Sequence, residues 1–517
     1  MIWTAGRRGI PGVDLSGLRH ELPALLAFVW QTTGRRERWA LLCAAAVAVG
    51  VGIGVPLAVA TFLPPDPEVR QTVLVVLPAA WAFFAVSILI SALASSGGRE
   101  LLPRNQLPGF PLSPATDHAA ALLTIPLNVA WTLQSVSLLT AVAVITAGAP
   151  GLLVQATVMT TLWILAASCL AQFAGWAAEL LRSTRHGDTV LRGLALAAVA
   201  VGAAVVLSGH ARTVLDSLPT TSFVIAAVVV DDPARFAVAG VGLLVVAVVS
   251  FLGAIPLVAA LSRRSVPQVA AQDTRLRPRR SSTGSELGWL IGLDQRMVLR
   301  SAPLRRGLAV LTVLPLLAAL LVPLPWTALT ILPALVASAS GLLYGVNAFA
   351  LDGGGAVWRN SLPQPAAQWL DARLIVLVQV CGGGAIVVVG AAALRAGQAP
   401  SAAELAAVVC AAITAVLQVI SRCARWSIRR PFPAVLRSSR DAPAPPVSLA
   451  GYAVALSVAT TLSATLFALA GSTGAVALPV AILLLFLISG TWSLRRAATA
   501  FESPAVRARV TATVAGT

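Results

Sequence analysis

Long apolar runs separated by short polar segments dominate the chain. A helix needs about 20 predominantly apolar residues to cross the hydrocarbon core of a bilayer. Read with that window, the first half holds runs at roughly 40–62, 71–95, 118–147, 151–180, 191–208 and 236–262. The second half holds runs at roughly 305–323, 325–350, 371–394, 402–424, 447–470 and 473–493. The pattern predicts an all-α polytopic membrane protein: twelve transmembrane helices as two six-helix halves, with no soluble domain. The first run begins too far into the chain, and runs too long, for a cleaved signal peptide.

The polar segments orient these spans, because arginine and lysine gather on the cytoplasmic side. Arg7, Arg8, Arg19, Arg35, Arg36 and Arg38 precede the first span. Alternate loops then carry Arg99 and Arg104, Arg182 to Arg192, Arg263 to Arg306, Arg359, Arg422 to Arg440, and Arg495 to Arg509. Five intervening loops, such as "AGAPG" and "GSTG", are nearly free of arginine, and the long one between spans five and six holds only Arg212 and Arg235. Both termini are expected in the cytoplasm. Residues 1–262 form a first half and 304–517 a second, joined by a cytoplasmic linker and interfacial helix at 263–303. Within the linker, "SELGWLIGLDQRMVLRSAPLRR" reads as an amphipathic helix capped by Ser285, with Leu287, Leu290, Ile291, Met297 and Leu299 among charges. Residues 18–39 occupy the same place before the first span, so each half opens with an interfacial helix.

Composition strengthens the membrane assignment. Hydrophobic residues make up 57% and charged residues 11% of 517, against roughly 45–50% and about 25% in soluble domains. Surface-to-volume scaling leaves a soluble fold too little interior for that much apolar surface. The net charge of +17 sits in loops, and "RLRPRRSSTGS" reads as a linker near anionic lipid, so no nucleic-acid partner is expected. All 37 basic residues are arginine, which with abundant Ala, Val and Gly points to the plasma membrane of a high-GC bacterium. A P-loop needs a lysine on the phosphates, so this chain carries no intact Walker A motif. Cys43, Cys169, Cys381, Cys410 and Cys423 lie in or at the end of apolar runs and read as small hydrophobes, while His20, His118, His186 and His210 are scattered. Neither set implies a metal site.

Two loops stand out. "SSGGRELLPRNQLPGFPLSPATDHAAALL" (95–123) follows the second span of the first half; "NAFALDGGGAVWRNSLPQPAAQWLDAR" (347–373) follows the second span of the second. Both open on a glycine run, Gly97–Gly98 and Gly353–Gly355, and both end in a proline-marked helix start, at Leu112–Pro114 and Pro363–Pro365. Glycine permits positive φ and close backbone approach, and proline in the first turn sets where a helix begins. One such loop would be punctuation. A matched pair on the cytoplasmic face reads as an internal repeat suited to docking a soluble partner.

In these loops, and in the interfacial helix before each half, the chain resembles the permeases of ABC-2 type exporters, over nearly its whole length as two fused permease halves of the multidrug and antibiotic export type. The resemblance implies that the loop after the second span meets a separate ABC ATPase subunit, two copies if each half docks one, and that ATP and Mg belong to that subunit. This chain would then be non-catalytic and hold no cofactor. The docking residues would be Gly97, Gly98, Arg99, Glu100, Pro111 and Pro114 in one loop. In the other they would be Asp352, Gly353, Gly354, Trp358, Arg359, Pro363 and Pro365. The resemblance also implies an outer-face dip between spans five and six, for which residues 211–235 qualify in the first half; only "GSTG" is available in the second.

Within the spans no Asp, Glu, Arg or His occupies a centre, which speaks against a proton-coupled multidrug antiporter, the first alternative. A non-transporting membrane scaffold or sensor is the second. Gln134, Ser135, Gln172, Asn347, Gln379 and Gln418 read first as interhelical hydrogen-bonding residues, and otherwise as lining of a translocation cavity. "GVGIGV" (50–55) and "CGGGAIVVVG" (381–390) read as close packing. An apolar cavity suits hydrophobic or amphipathic cargo: drugs, natural products or lipids. The expected function is thus an ATP-driven exporter permease, with export inferred from the resemblance alone. In a cysteine-free variant, single cysteines replacing Gly397 and Ser472 should react with an impermeant thiol reagent added outside cells, and one replacing Ser282 should not; labelling at Ser282 would reverse the orientation.

Overall fold

The computed structural model describes residues 17–32, 66–94, 112–127, 129–229, 232–263, 285–321, 324–433 and 446–516, with isolated positions besides. The chain divides into two compact units, Met1–Gln268 and Val269–Thr517. Every regular element among the described residues is helical. Eight helices are long and apolar enough to cross a membrane: Pro67–Leu93, Pro150–Arg182, Pro233–Ser262, Trp326–Asn347, Ala366–Arg395, Ala402–Arg429, Gly451–Ser472 and Ala477–Glu502. Trp131–Thr146, Thr189–Gly202 and Gly307–Leu317 are apolar but shorter. Most of the predicted first span, 40–62, lies outside the described residues.

In the first unit α1 (Leu18–Thr32) precedes α2 (Pro67–Ala94), α3 (Pro114–Leu123), α4 (Val129–Thr146), α5 (Pro150–Arg182) and α6 (Gly187–Leu207). Two short helices, α7 (Ala211–Asp216) and α8 (Pro219–Val224), lead through a π-helical turn at Ile225–Val229 to α9 (Pro233–Ser262). The expected continuous run 118–147 is broken: α3 stops at Leu123 and a 3-10 turn spans Ile125–Leu127 before α4. Pro126 explains the break, since it has no N–H to donate and disfavours helical geometry at the residue before it. The core joins Leu77, Trp81 and Phe84 of α2 to Val142 of α4 and Met159 of α5. Val224, Ala227 and Val228, between α6 and α9, are buried in the same cluster, and Gln155 Nε2 donates to Ala226 O at 3.2 Å.

In the second unit α10 (Glu286–Arg300) leads into α11 (Ala302–Leu321) and α12 (Ile331–Tyr344). Two 3-10 turns and the short α13 (Gly355–Ser361) lead to α14 (Ala366–Arg395). Then follow α15 (Ala402–Arg429), α16 (Pro446–Ser472), α17 (Ala477–Glu502) and α18 (Pro504–Ala515). Ser285 caps α10 as expected, its Oγ accepting from Gly288 N at 3.2 Å. Burial is uneven: 72% of the most apolar window around α12 is buried, but only 11% of that in α17. Leu484, Leu485 and Ile488 of α17 are exposed, a patch that lipid covers and water would not tolerate.

Helices in lipid gain no hydrophobic drive from one another, so small residues that allow close approach matter most. α12 and α15 meet at Gly341 and Gly345, where a Cβ would collide with Val419 Cγ1 at the first and lie 2.7 Å from Cys423 Sγ at the second. Ser427 of α15 donates to Gly345 O at 2.9 Å and accepts from Ala348 N at 3.0 Å, satisfying backbone groups released where α12 ends. Within "CGGGAIVVVG" only part of the close-packing expectation holds: a Cβ on Gly384 would lie 2.8 Å from Val336 Cγ1, whereas Gly382 and Gly383 face open space. Gly341→Ala should therefore lower stability by about 1–3 kcal/mol through overpacking. Gly382→Ala should raise it by roughly 0.5–1 kcal/mol through backbone entropy. Thermal unfolding of both variants in one detergent checks the opposed signs.

Candidate functional site

The segment between α12 and α14 is folded. Asp352 ends a 3-10 turn, and Gly353 turns the chain out of it at φ +47°, a backbone conformation strained for any side chain. α13 then runs to Ser361, and Leu362 at ψ 140° is extended, as the residue before Pro363 prefers. Pro365 caps the start of α14.

Beneath α13 four charged side chains meet, each at most 3% exposed. Asp294 of α10 accepts from Arg359 Nη1 at 2.8 Å and lies 3.3 Å from Arg373 Nε. Asp352 is 3.2 Å from Arg359 Nη1 and hydrogen-bonds Arg373 Nη2. Two aspartates and two arginines cancel, and each arginine touches both carboxylates. The Arg359 guanidinium also lies over the Trp369 ring, 5.3 Å from its centre. Trp369 packs edge-on against Phe349 and Phe501, whose rings stack 5.1 Å apart. Ala356 of α13, with Val510 and Val514 of α18, completes this apolar patch.

One face of α13 is therefore internal and the other open. Val357 and Trp358 are 51% and 58% exposed, and Gly354, Asn360, Pro363 and Pro365 are exposed beside them. The expected docking set is corrected accordingly. Trp358, Gly354, Pro363 and Pro365 face outward, Gly353 is half-buried, and Asp352 and Arg359 point inward because their charges are matched there. Asp294 and Arg373 were not among the expected docking residues. No charge count along the chain singles them out, since residues 285–306 alone hold two acids and four arginines.

In the first unit Gly97, Gly98, Arg99, Glu100 and Pro111 lie outside the described residues. Pro114 opens α3 behind its Ser113 cap, and Ser113 N donates to Glu21 Oε2 of α1 at 2.8 Å. Leu25 of α1 packs on Ala120 of α3. In each unit the first described helix thus binds the helix after the paired loop.

Within each unit the candidate cavity residues lie on different elements. Gln134 is half-buried on α4 and Gln172 is buried on α5. Asn347 Nδ2 donates to Phe432 O at 2.8 Å, and Gln379 Oε1 accepts from Gln295 Nε2 of α10 at 2.8 Å. Gln418 Oε1 accepts from Arg422 Nη1 at 3.1 Å and borders a shallow cleft of about 530 Å³. Among the described residues no group of three or more His, Cys, Asp or Glu is placed to hold a metal ion.

The fold and the site define a helical protein with the long apolar helices of a multi-pass membrane protein. No family model, curated protein or solved structure matches the chain. Asp294→Ala leaves two buried arginines sharing Asp352, and should cost about 3–5 kcal/mol of stability. Trp358→Ser, on the open face, should stay within about 0.5 kcal/mol of the parent. Thermal unfolding of the two purified variants checks the contrast.

Proposed function

We propose that this chain is the twelve-span permease subunit of an ATP-driven ABC exporter that moves hydrophobic or amphipathic small molecules across the plasma membrane. The reading gives the chain two six-span halves, cytoplasmic termini and a separate ATPase subunit that supplies ATP and Mg. The observation that carries it is α13: a short helix between the second and third spans of its unit, held from behind by paired charges and presenting Trp358 in front. A rigid element with an exposed aromatic suits docking of a soluble protein, because buried aromatics dominate small interfaces. Two further features support the reading. Each unit ties a surface helix to the start of its third span. The segment between α6 and α9 folds back into the core, which fits the outer-face dip, and α16 and α17 have no counterpart between them.

With no lysine for a P-loop, the purified chain should show no specific ATP hydrolysis without a partner ATPase. The combined variant Trp358→Ser, Pro363→Ala, Pro365→Ala should insert normally yet bind that ATPase roughly thirtyfold more weakly, the equivalent of about 2 kcal/mol. Pull-down affinity and cargo-stimulated ATPase activity in reconstituted membranes provide the check. Wild-type coupling in the variant would reduce α13 to a hinge joining two spans.

A further inference from the structure

α15 carries Arg422, Arg425 and Arg429 at spacings of three and four, so they share one side of its C-terminal end. Arg422 lies about 10 Å inside that end at 1.5 Å rise per residue. Its Nη1 reaches only its own helix, at Gln418 Oε1 (3.1 Å) and Gln418 O (3.4 Å). Among the described residues no carboxylate pairs with it, and Arg425, one turn along the same helix, carries the same charge. Arg359 and Arg373, by contrast, are each matched by two aspartates.

One turn beyond Arg422, Trp426 stacks on the buried Tyr452 with ring centres 4.3 Å apart, so the core closes on that side. On the other side opens the shallow cleft of about 530 Å³. Val454, Val458 and Leu462 of α16 line it with Phe486 of α17. The first three recur every fourth residue and are each more than half exposed, making a straight apolar track that starts beside the guanidinium.

We propose that this cleft binds an anionic amphiphile, with a phosphate-type head on Arg422 and an alkyl chain along Val454, Val458 and Leu462. A planar guanidinium offers a fork of donors that matches phosphate oxygens. The track supplies apolar contact that a small inorganic ion could not use. The site requires only that α15–α17 lie in a bilayer, and it stands or falls apart from the exporter reading. The amphiphile can come from the bilayer as a phospholipid or from the water phase as a free alkyl phosphate.

The purified full chain in neutral detergent should bind phosphatidylglycerol at least tenfold more tightly than phosphatidylcholine of the same chains, measured by native mass spectrometry. Arg422→Gln should erase that preference and Arg422→Lys should keep most of it. Leu462→Asn should weaken both lipids alike. Dodecyl phosphate should compete with phosphatidylglycerol in detergent. Its exclusion from the protein in phosphatidylglycerol nanodiscs would make the occupant a resident lipid, and its entry there would make it an amphiphile taken from water. Equal affinities for the two phospholipids, or an unchanged preference in Arg422→Gln, would overturn the proposal. Should Arg422→Gln fail to fold, unchanged phospholipid binding by Leu462→Asn would overturn it equally.

Discussion

Taking Asp294, Asp352, Arg359 and Arg373 out of water costs several kcal/mol per ion, and only their mutual pairing offsets it. The four residues come from α10, the turn after α12, α13 and the first turns of α14. None of these elements can dock alone without burying an unmatched charge. Such a network adds little net stability over an apolar packing of the same shape. What it supplies is geometry: each arginine spans both carboxylates, so sliding any one element breaks two pairs at once. The aromatic patch of Phe349, Trp369 and Phe501 lies against the same segment and brings α18 onto it. The open face of α13 is thereby fixed by what lies underneath.

The rest of the second unit obeys the opposite rule. In lipid, neighbouring apolar helices gain nothing by hiding from solvent, and association rests on fit and on hydrogen bonds. Gly341, Gly345 and Gly490 remove side chains where Val419, Cys423 and Leu417 must pass. Ser338 and Thr460 join α12 to α16 through hydroxyls 3.0 Å apart. α17 keeps its apolar residues on the outside because lipid is as good a neighbour as protein. One end of the unit is therefore organised by charge and the remainder by the absence of Cβ atoms.

Helix identity was legible from the sequence because the signal is additive: twenty apolar residues in a row outweigh local detail. The break at Pro126 also had a local cause that reading by windows averages away. The loop at 347–373 was recognisable by its glycines and prolines, and Gly353 does adopt the positive φ that motivates glycine there. Which residues of that loop face outward was not legible. Asp352 and Arg359 look like solvent-facing docking residues until Asp294 and Arg373 arrive from 58 and 14 residues away, by the differences 352 − 294 and 373 − 359. Their role depends on a tertiary pairing that spacing along one helix or loop does not encode. Trp358 needed no such partner and is exposed.

The two units hold their surface helices by different means. In the first, α1 meets α3 through the Glu21 carboxylate on Ser113 N and a small apolar contact of Leu25 with Ala120. In the second, α10 reaches α14 through Asp294, which engages α13 in the same stroke. Two carboxylates shared by two guanidinium groups fix positions and angles together. Under the proposed function, force applied at Trp358 would therefore reach α14 through Arg359, the aspartates and Arg373, without first being lost in bending of the loop. Under that reading the second unit carries a rigid lever, and its short link between α16 and α17 suits an element that transmits movement. The first unit has the buried segment between α6 and α9, suited to shaping a path.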